Sequence, residues 1–201
     1  LWSPQTPKLY DVVVGCKGHC VNDRIGFRYI QTKGNKLYLN GKEIFCRGVC
    51  MHEEALWKNC RITEHRQNVE LLSLAKELGC NFVRLAHYPY NEDMVRTAEE
   101  MGLMVWEEIP LYWNVTWDNP ATYASAEQQL TEIIARDRNR ANIIVWSVAN
   151  ETPVNEERTA FISKLIDKAK ELDGTRLVSA AMLVHKCKDG TRMITDPLAK
   201  K

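Results

Sequence analysis

The chain has 201 residues, enough for one domain and part of another. Its 27 Lys and Arg nearly balance 26 Asp and Glu, giving a formal net charge of +1 and no broad basic face for nucleic acid or an anionic membrane. No apolar run approaches the roughly 18 residues of a membrane span, and no signal segment opens the chain.

The sequence begins Leu1-Trp2-Ser3-Pro4 without an initiator Met and ends Lys200-Lys201, so it reads as a piece of something longer. Seven cysteines, an odd number, are scattered over a chain too large to need disulfide staples. Reduced thiols are expected. With no signal segment, this leans toward the cytoplasm, although the natural N-terminus is absent from the sequence. Cys16-Lys17-Gly18-His19-Cys20 has metal-like residue types, but no second pair lies at zinc-finger spacing, and no metal site is expected. Cys46 and Cys50 fall four apart in an expected strand, which would put both on one side as small core residues.

In chain order, residues 1–33 read as all-β. Leu9-Tyr10-Asp11-Val12-Val13-Val14 is an expected strand, Gly15 to Asn22 a turn region, and Ile25 to Ile30 a second strand. Two strands make no stable sheet alone, so they read as the tail of a β-sandwich. Leu37 to Ile44 then shows a hairpin around Asn40-Gly41.

From there strand and helix alternate. A strand is expected at about 44–50, then a helix at 64–78 with Gly79 as its stop. Asn81 to Ala86 is the next strand, Glu92 to Glu100 a helix ended by Gly102, and Leu103 to Glu108 the third strand. A helix at about 122–138 precedes a continuously apolar strand, Ile143 to Ala149, that ends in Asn150-Glu151. A helix at 155–172 and a strand at 176–181 close the readable part. Such repeats mean a parallel sheet with right-handed crossovers. Periodicity alone allows either a doubly wound sheet or a (β/α)8 barrel. No glycine-rich phosphate loop follows any strand, and five strands in this length suit the first part of a barrel of about 250 residues. The barrel is favoured, with residues 34–201 as its N-terminal half.

Polar groups gather at the ends of those strands. The first leads into His52-Glu53-Glu54, the second into His87-Tyr88-Pro89-Tyr90 with Arg84 inside it. The third ends Glu107-Glu108 and runs on to Tyr112-Trp113; the fourth ends Asn150-Glu151. Each has a plainer reading. Arg84 reads equally as an ion-paired core residue, His52 and His87 as satisfied rim histidines, and the aromatics as packing. Glu107 and Glu108 alternate, so at most one faces the barrel interior. Glu151, taken alone, reads as a cap for the helix beginning near Asn155. In a barrel, however, these ends surround one mouth. Carboxylates, rings and hydrogen-bonding groups around a cleft suit a sugar. Glycoside cleavage needs one acid for the leaving oxygen, and a second carboxylate as nucleophile at about 5–5.5 Å or as base farther away.

Several ordered motifs then match a known family. Gly26-Phe27-Arg28, Leu39-Asn40-Gly41-Lys42, Arg47-Gly48-Val49, His52-Glu53, Asn81-Phe82-Val83-Arg84, His87-Tyr88-Pro89, Arg136-Asp137-Arg138-Asn139 and Trp146 to Glu151 occur in sequence. Together, from about Leu1 to Asp196, they resemble glycoside hydrolase family 2, which holds β-galactosidases, β-glucuronidases and β-mannosidases. The spelling around His87-Tyr88-Pro89-Tyr90 and Ser147 to Glu151 is more similar to the β-glucuronidase branch. The resemblance implies a jelly roll, an immunoglobulin-like β-sandwich whose last strands are residues 1–33, and a TIM barrel. It implies a retaining exo-β-glycosidase with Glu151 as acid/base. It implies Asn150 as the residue binding the sugar 2-hydroxyl, and Arg84, His87 and Glu108 as substrate-binding residues. No metal or organic cofactor is demanded. The expected partner is a carbohydrate substrate, with no nucleic acid or membrane, and the full-length parent is open to homo-oligomerisation. The family's nucleophile is a Glu at the end of the seventh strand, past Thr195-Asp196-Pro197. These 201 residues alone are therefore expected not to turn over substrate; hydrolysis of an aryl β-glycoside by the purified fragment would contradict this. The rival reading is a non-catalytic sugar-binding protein on a degenerate barrel.

Overall fold

The computed structural model describes residues 1–183; Cys187 and Thr195-Asp196-Pro197 lie outside the described residues. The chain opens with an antiparallel hairpin, β1 (Tyr10–Cys16) and β2 (His19–Ile25), paired from Tyr10 with Ile25 to Cys16 with His19. Its turn is only Lys17-Gly18, at φ 46° and 85°, the left-handed pair that two-residue hairpins favour. The expected turn region at 15–22 and second strand at 25–30 are thus corrected: the partner strand starts at His19. Strands β3 (Ile30–Lys33), β4 (Lys36–Leu39) and β5 (Lys42–Ile44) form a separate antiparallel sheet. Asn40 and Gly41 turn β4 into β5 at φ 53° and 79°.

The alternating part follows: β6 (Gly48–Met51), α1 (His65–Glu77), β7 (Phe82–Leu85), α2 (Glu92–Glu100), β8 (Met104–Glu108), α3 (Pro120–Asp137), β9 (Ile143–Thr152), α4 (Glu156–Leu172) and β10 (Leu177–Met182). The five strands are neighbours in chain order, β6 through β10, and β6–β7 and β9–β10 pair in parallel. A doubly wound sheet reverses its strand order at a switch point; this one never does, which is the order of a (β/α)8 barrel. Among the described residues no helix is long and apolar enough to cross a membrane.

By contact density the chain divides into two units. One comprises Leu1–Ala86, Tyr90–Trp106 and Arg136–Ile144; the other comprises His87–Pro89, Glu107–Ala135 and the described residues from Val145 to Leu183. In the first, Trp2 is fully buried, and its indole N–H donates to the Glu99 carbonyl at 3.0 Å. Gly26 makes room for it: a Cβ there would lie 2.7 Å from Ala141 Cβ and 3.0 Å from Trp2 Cβ. Buried Arg140 binds the Glu99 carboxylate at 3.2 Å and the Arg24 carbonyl at 2.8 Å, and it also pairs with Asp23. Burial pushes the Glu99 carboxyl up, opposed by the Ala141 N–H and the Arg140 guanidinium.

Glu53, 1% exposed, accepts from both the backbone and the side-chain nitrogen of Asn91 at 2.6 Å and pairs with Arg61. It anchors the loop after β6. The six cysteines among the described residues are free thiols. Cys46 precedes β6 and is half-buried, while Cys50 on β6 is exposed. The expectation that both are core residues is not met: β6 is only four residues long, Cys46 lies outside it, and Cys50 on it is exposed.

In the second unit, β9 carries the apolar run, and nine of its ten residues are buried. Trp146 donates its indole N–H to Asp173 at 2.9 Å, and Arg176 both stacks on that ring at 5.4 Å and binds Asp173 at 2.6 Å. Burial alone would raise the Asp173 carboxyl, but Arg176, Thr175 and Trp146 together hold it at about 2. Helix α4 is capped by Asn155, whose side chain accepts from the Arg158 N–H at 2.7 Å.

Candidate active site

Residues of the second unit build the site. Glu108 ends β8 at 1% exposure, and its carboxylate meets His87 Nδ1 at 2.8 Å. This contact fixes the orientation of the His87 ring at the end of β8. Glu107 beside it is also buried, so alternation divides the pair between faces without exposing either.

Past Pro110 the chain does not leave the sheet. Ile109 N–H donates to the Ser147 carbonyl at 3.3 Å, Asn150 N–H to the Leu111 carbonyl at 2.8 Å, and Trp113 N–H to the Asn150 carbonyl at 3.2 Å. Tyr112 forms an isolated parallel bridge with Asn150. These bonds carry two aromatic rings to the tip of β9. The Tyr112 ring lies 6.1 Å from that of His87 and packs edge-on against Trp113 at 5.8 Å and 85°.

At the tip the ladder with β10 is irregular. Ser147 pairs with Ser179, Asn150 with Ala181 and Thr152 with Met182, so β9 carries an extra residue on either side of Asn150. Glu151 is one of these, with a left-handed φ of 48°, rare for a residue with a side chain. Such bulges re-aim side chains next to active sites. Asn150 is buried, whereas Glu151 is exposed, and Trp113 Nε1–H donates to its Oε2 at 3.4 Å. The plainer reading of Glu151 as a helix cap does not survive, since Asn155 performs that task.

His87, Glu108, Asn150 and Glu151 therefore share one unit, joined through Tyr112 and Trp113. Arg84 belongs to the first unit, half-buried on β7 with its guanidinium 5.3 Å from the Trp106 ring centroid. From the rim residues, Glu53 is absorbed by loop anchoring. The bond from Trp113 to the carboxylate was not legible: an aromatic pair after Pro110 reads as packing, and only the bonds to β9 show its direction. Among the described residues, no group of three or more His, Cys, Asp or Glu is placed to hold a metal ion.

Residues 30–196 match the family model described as glycosyl hydrolases family 2, TIM barrel domain. A β-galactosidase of Thermoanaerobacterium thermosulfurigenes is 34% identical over 181 residues, covering 88% of this chain and 25% of the relative. A β-glucuronidase of Streptococcus agalactiae is 33% identical over 168 residues, covering 75% of this chain and 28% of the relative. The crystal structure of a β-galacturonidase from Eisenbergiella tayi bound to galacturonate aligns with a TM-score of 0.84 at 30% identity, over 90% of this chain and 33% of that one. The chain thus spans about a quarter to a third of the length of these relatives.

Proposed function

The chain belongs to glycoside hydrolase family 2, and on that premise we propose that the whole protein is a retaining exo-β-glycosidase with Glu151 as its acid/base. The observation that carries this reading is the bulged, left-handed tip of β9, which holds an exposed carboxyl beside a buried amide and an indole donor. In the first half-reaction Glu151 protonates the leaving oxygen while a carboxylate from elsewhere in the whole protein attacks the anomeric carbon. In the second, Glu151 takes a proton from the water that releases the sugar.

Asn150 binds the sugar 2-hydroxyl, and the His87–Glu108 pair lines the sugar subsite. His87 is held against Glu108 through Nδ1 and presents its ring to the sugar. Arg84 is carried over as a further sugar-binding residue on the family resemblance alone. The substrate class is a terminal β-linked sugar. A β-glucuronide is favoured over a β-galactoside by the spelling of the strand ends, and relatives of both names support the broader class. Residues 1–33 are read as the end of a β-sandwich preceding the barrel.

The test is Glu151→Gln in the whole protein. Loss in kcat/KM of about 10²-fold or more is expected on a methyl β-glycoside, whose leaving group needs protonation, with a far smaller loss on a 2,4-dinitrophenyl glycoside. Equal loss on both counts against the acid role.

A further inference from the structure

We propose that Trp113 is the positioning residue of the acid/base, holding Glu151 Oε2 through its indole N–H so that Oε1 carries the travelling proton. The inference rests on the acid/base reading of Glu151. It starts from backbone strain. Trp113 has φ 58° and Glu151 φ 48°, two side-chain-bearing residues in the left-handed region that meet across a single hydrogen bond. Residues held so persist only when surrounding contacts over-determine them, and they cluster at functional sites.

Burial does not account for the strain at Trp113, because the residue is 62% exposed. Its backbone is instead clamped by the bond from its own N–H to the Asn150 carbonyl, and the Tyr112 edge orients its ring. What the conformation accomplishes is the contact from Nε1 to Oε2 at 3.4 Å, which among the described residues is the one hydrogen bond to the Glu151 side chain.

An indole N–H suits this task because it only donates and carries no charge. It can bond Oε2 whether the carboxyl is protonated or ionised. In the first step the O–H bond at Oε1 breaks and its proton goes to the leaving oxygen. In the second, Oε1 takes a proton from water as the water oxygen bonds the anomeric carbon. The same donor holds the group through both.

The test uses the whole protein with Trp113→Phe, which keeps a ring and loses the donor, and with 3-benzothienylalanine at position 113, which keeps the shape and replaces N–H by sulfur. A hydrogen bond to a charged group lost from the transition state corresponds to about tenfold in rate or more. Both variants are expected to lose about that much kcat/KM on the methyl β-glycoside and much less on the 2,4-dinitrophenyl glycoside. Equal loss on both substrates, or no loss on either, overturns the proposal. So does a benzothienyl variant that matches the natural protein while Phe does not. If the Phe variant fails to fold, the near-isostere decides. Glu151→Gln, run alongside, separates the two readings. Equal loss there removes the acid/base role itself, whereas a selective loss there with unselective tryptophan variants removes only Trp113.

Discussion

Asn150 has two kinds of hold on its surroundings. Its backbone N–H and C=O are both spent on the loop after β8, while its buried side chain is the group proposed to reach the sugar. Asn150→Ala should therefore leave the strand tip in place and remove one hydrogen bond that strengthens in the transition state. The expected loss in kcat/KM is about 10²-fold on a natural sugar and only a few-fold on its 2-deoxy analogue. A loss of the same size on both substrates would mean the amide acts on something other than the 2-hydroxyl. The candidate itself was readable: a fully apolar run that stops on Asn-Glu is visible in the letters. Its backbone was not. Nothing in Glu151 favours a left-handed φ, which comes from the irregular pairing with β10 and from bonds made by residues about 40 positions earlier.

Among elements, legibility follows how local the cause is. The Asn40-Gly41 hairpin is dictated by its own two residues, and it stands where expected. The Lys17-Gly18 hairpin escaped because His19 to Arg24 lacks a clean alternation; what sets its register is pairing along the whole length of β1. The contacts of Asp23 and Arg24 with Arg140 tie this hairpin to the entry of β9. Arg140 is 2% exposed and pairs with buried Glu99 as well as Asp23; Asp23 keeps its pair with Arg96, so Arg140→Met leaves the buried Glu99 carboxylate without its ion-pair partner. Destabilisation of about 3–5 kcal/mol is expected in urea unfolding. Adding Glu99→Gln should recover part of it, since burial already pushes that carboxyl toward its neutral form.

At the scale of the molecule, periodicity left two sheet topologies open, and the strand order resolved them. Neighbour relations among β6 to β10 are tertiary facts that no single segment encodes. Acid tolerance is also a tertiary property. Asp173 is held at about 2, below its ordinary 3.8, so it adds stability that is complete above pH 4 and lost as pH falls through 2. Asp173→Asn should remove on the order of 2 kcal/mol near neutrality and flatten the unfolding free energy between about pH 4 and 2. An unchanged slope in acid titration of the variant would exclude this source.

The left-handed turn at Glu151 sets endurance against usefulness. Glycine, and to a lesser degree asparagine, rests in that conformation at little cost. Replacing the glutamate with either should raise the melting temperature by a degree or more while discarding the carboxyl proposed to carry the proton. A screen that rewards heat resistance alone would accordingly drift toward sturdier proteins stripped of the group on which the proposed cleavage depends.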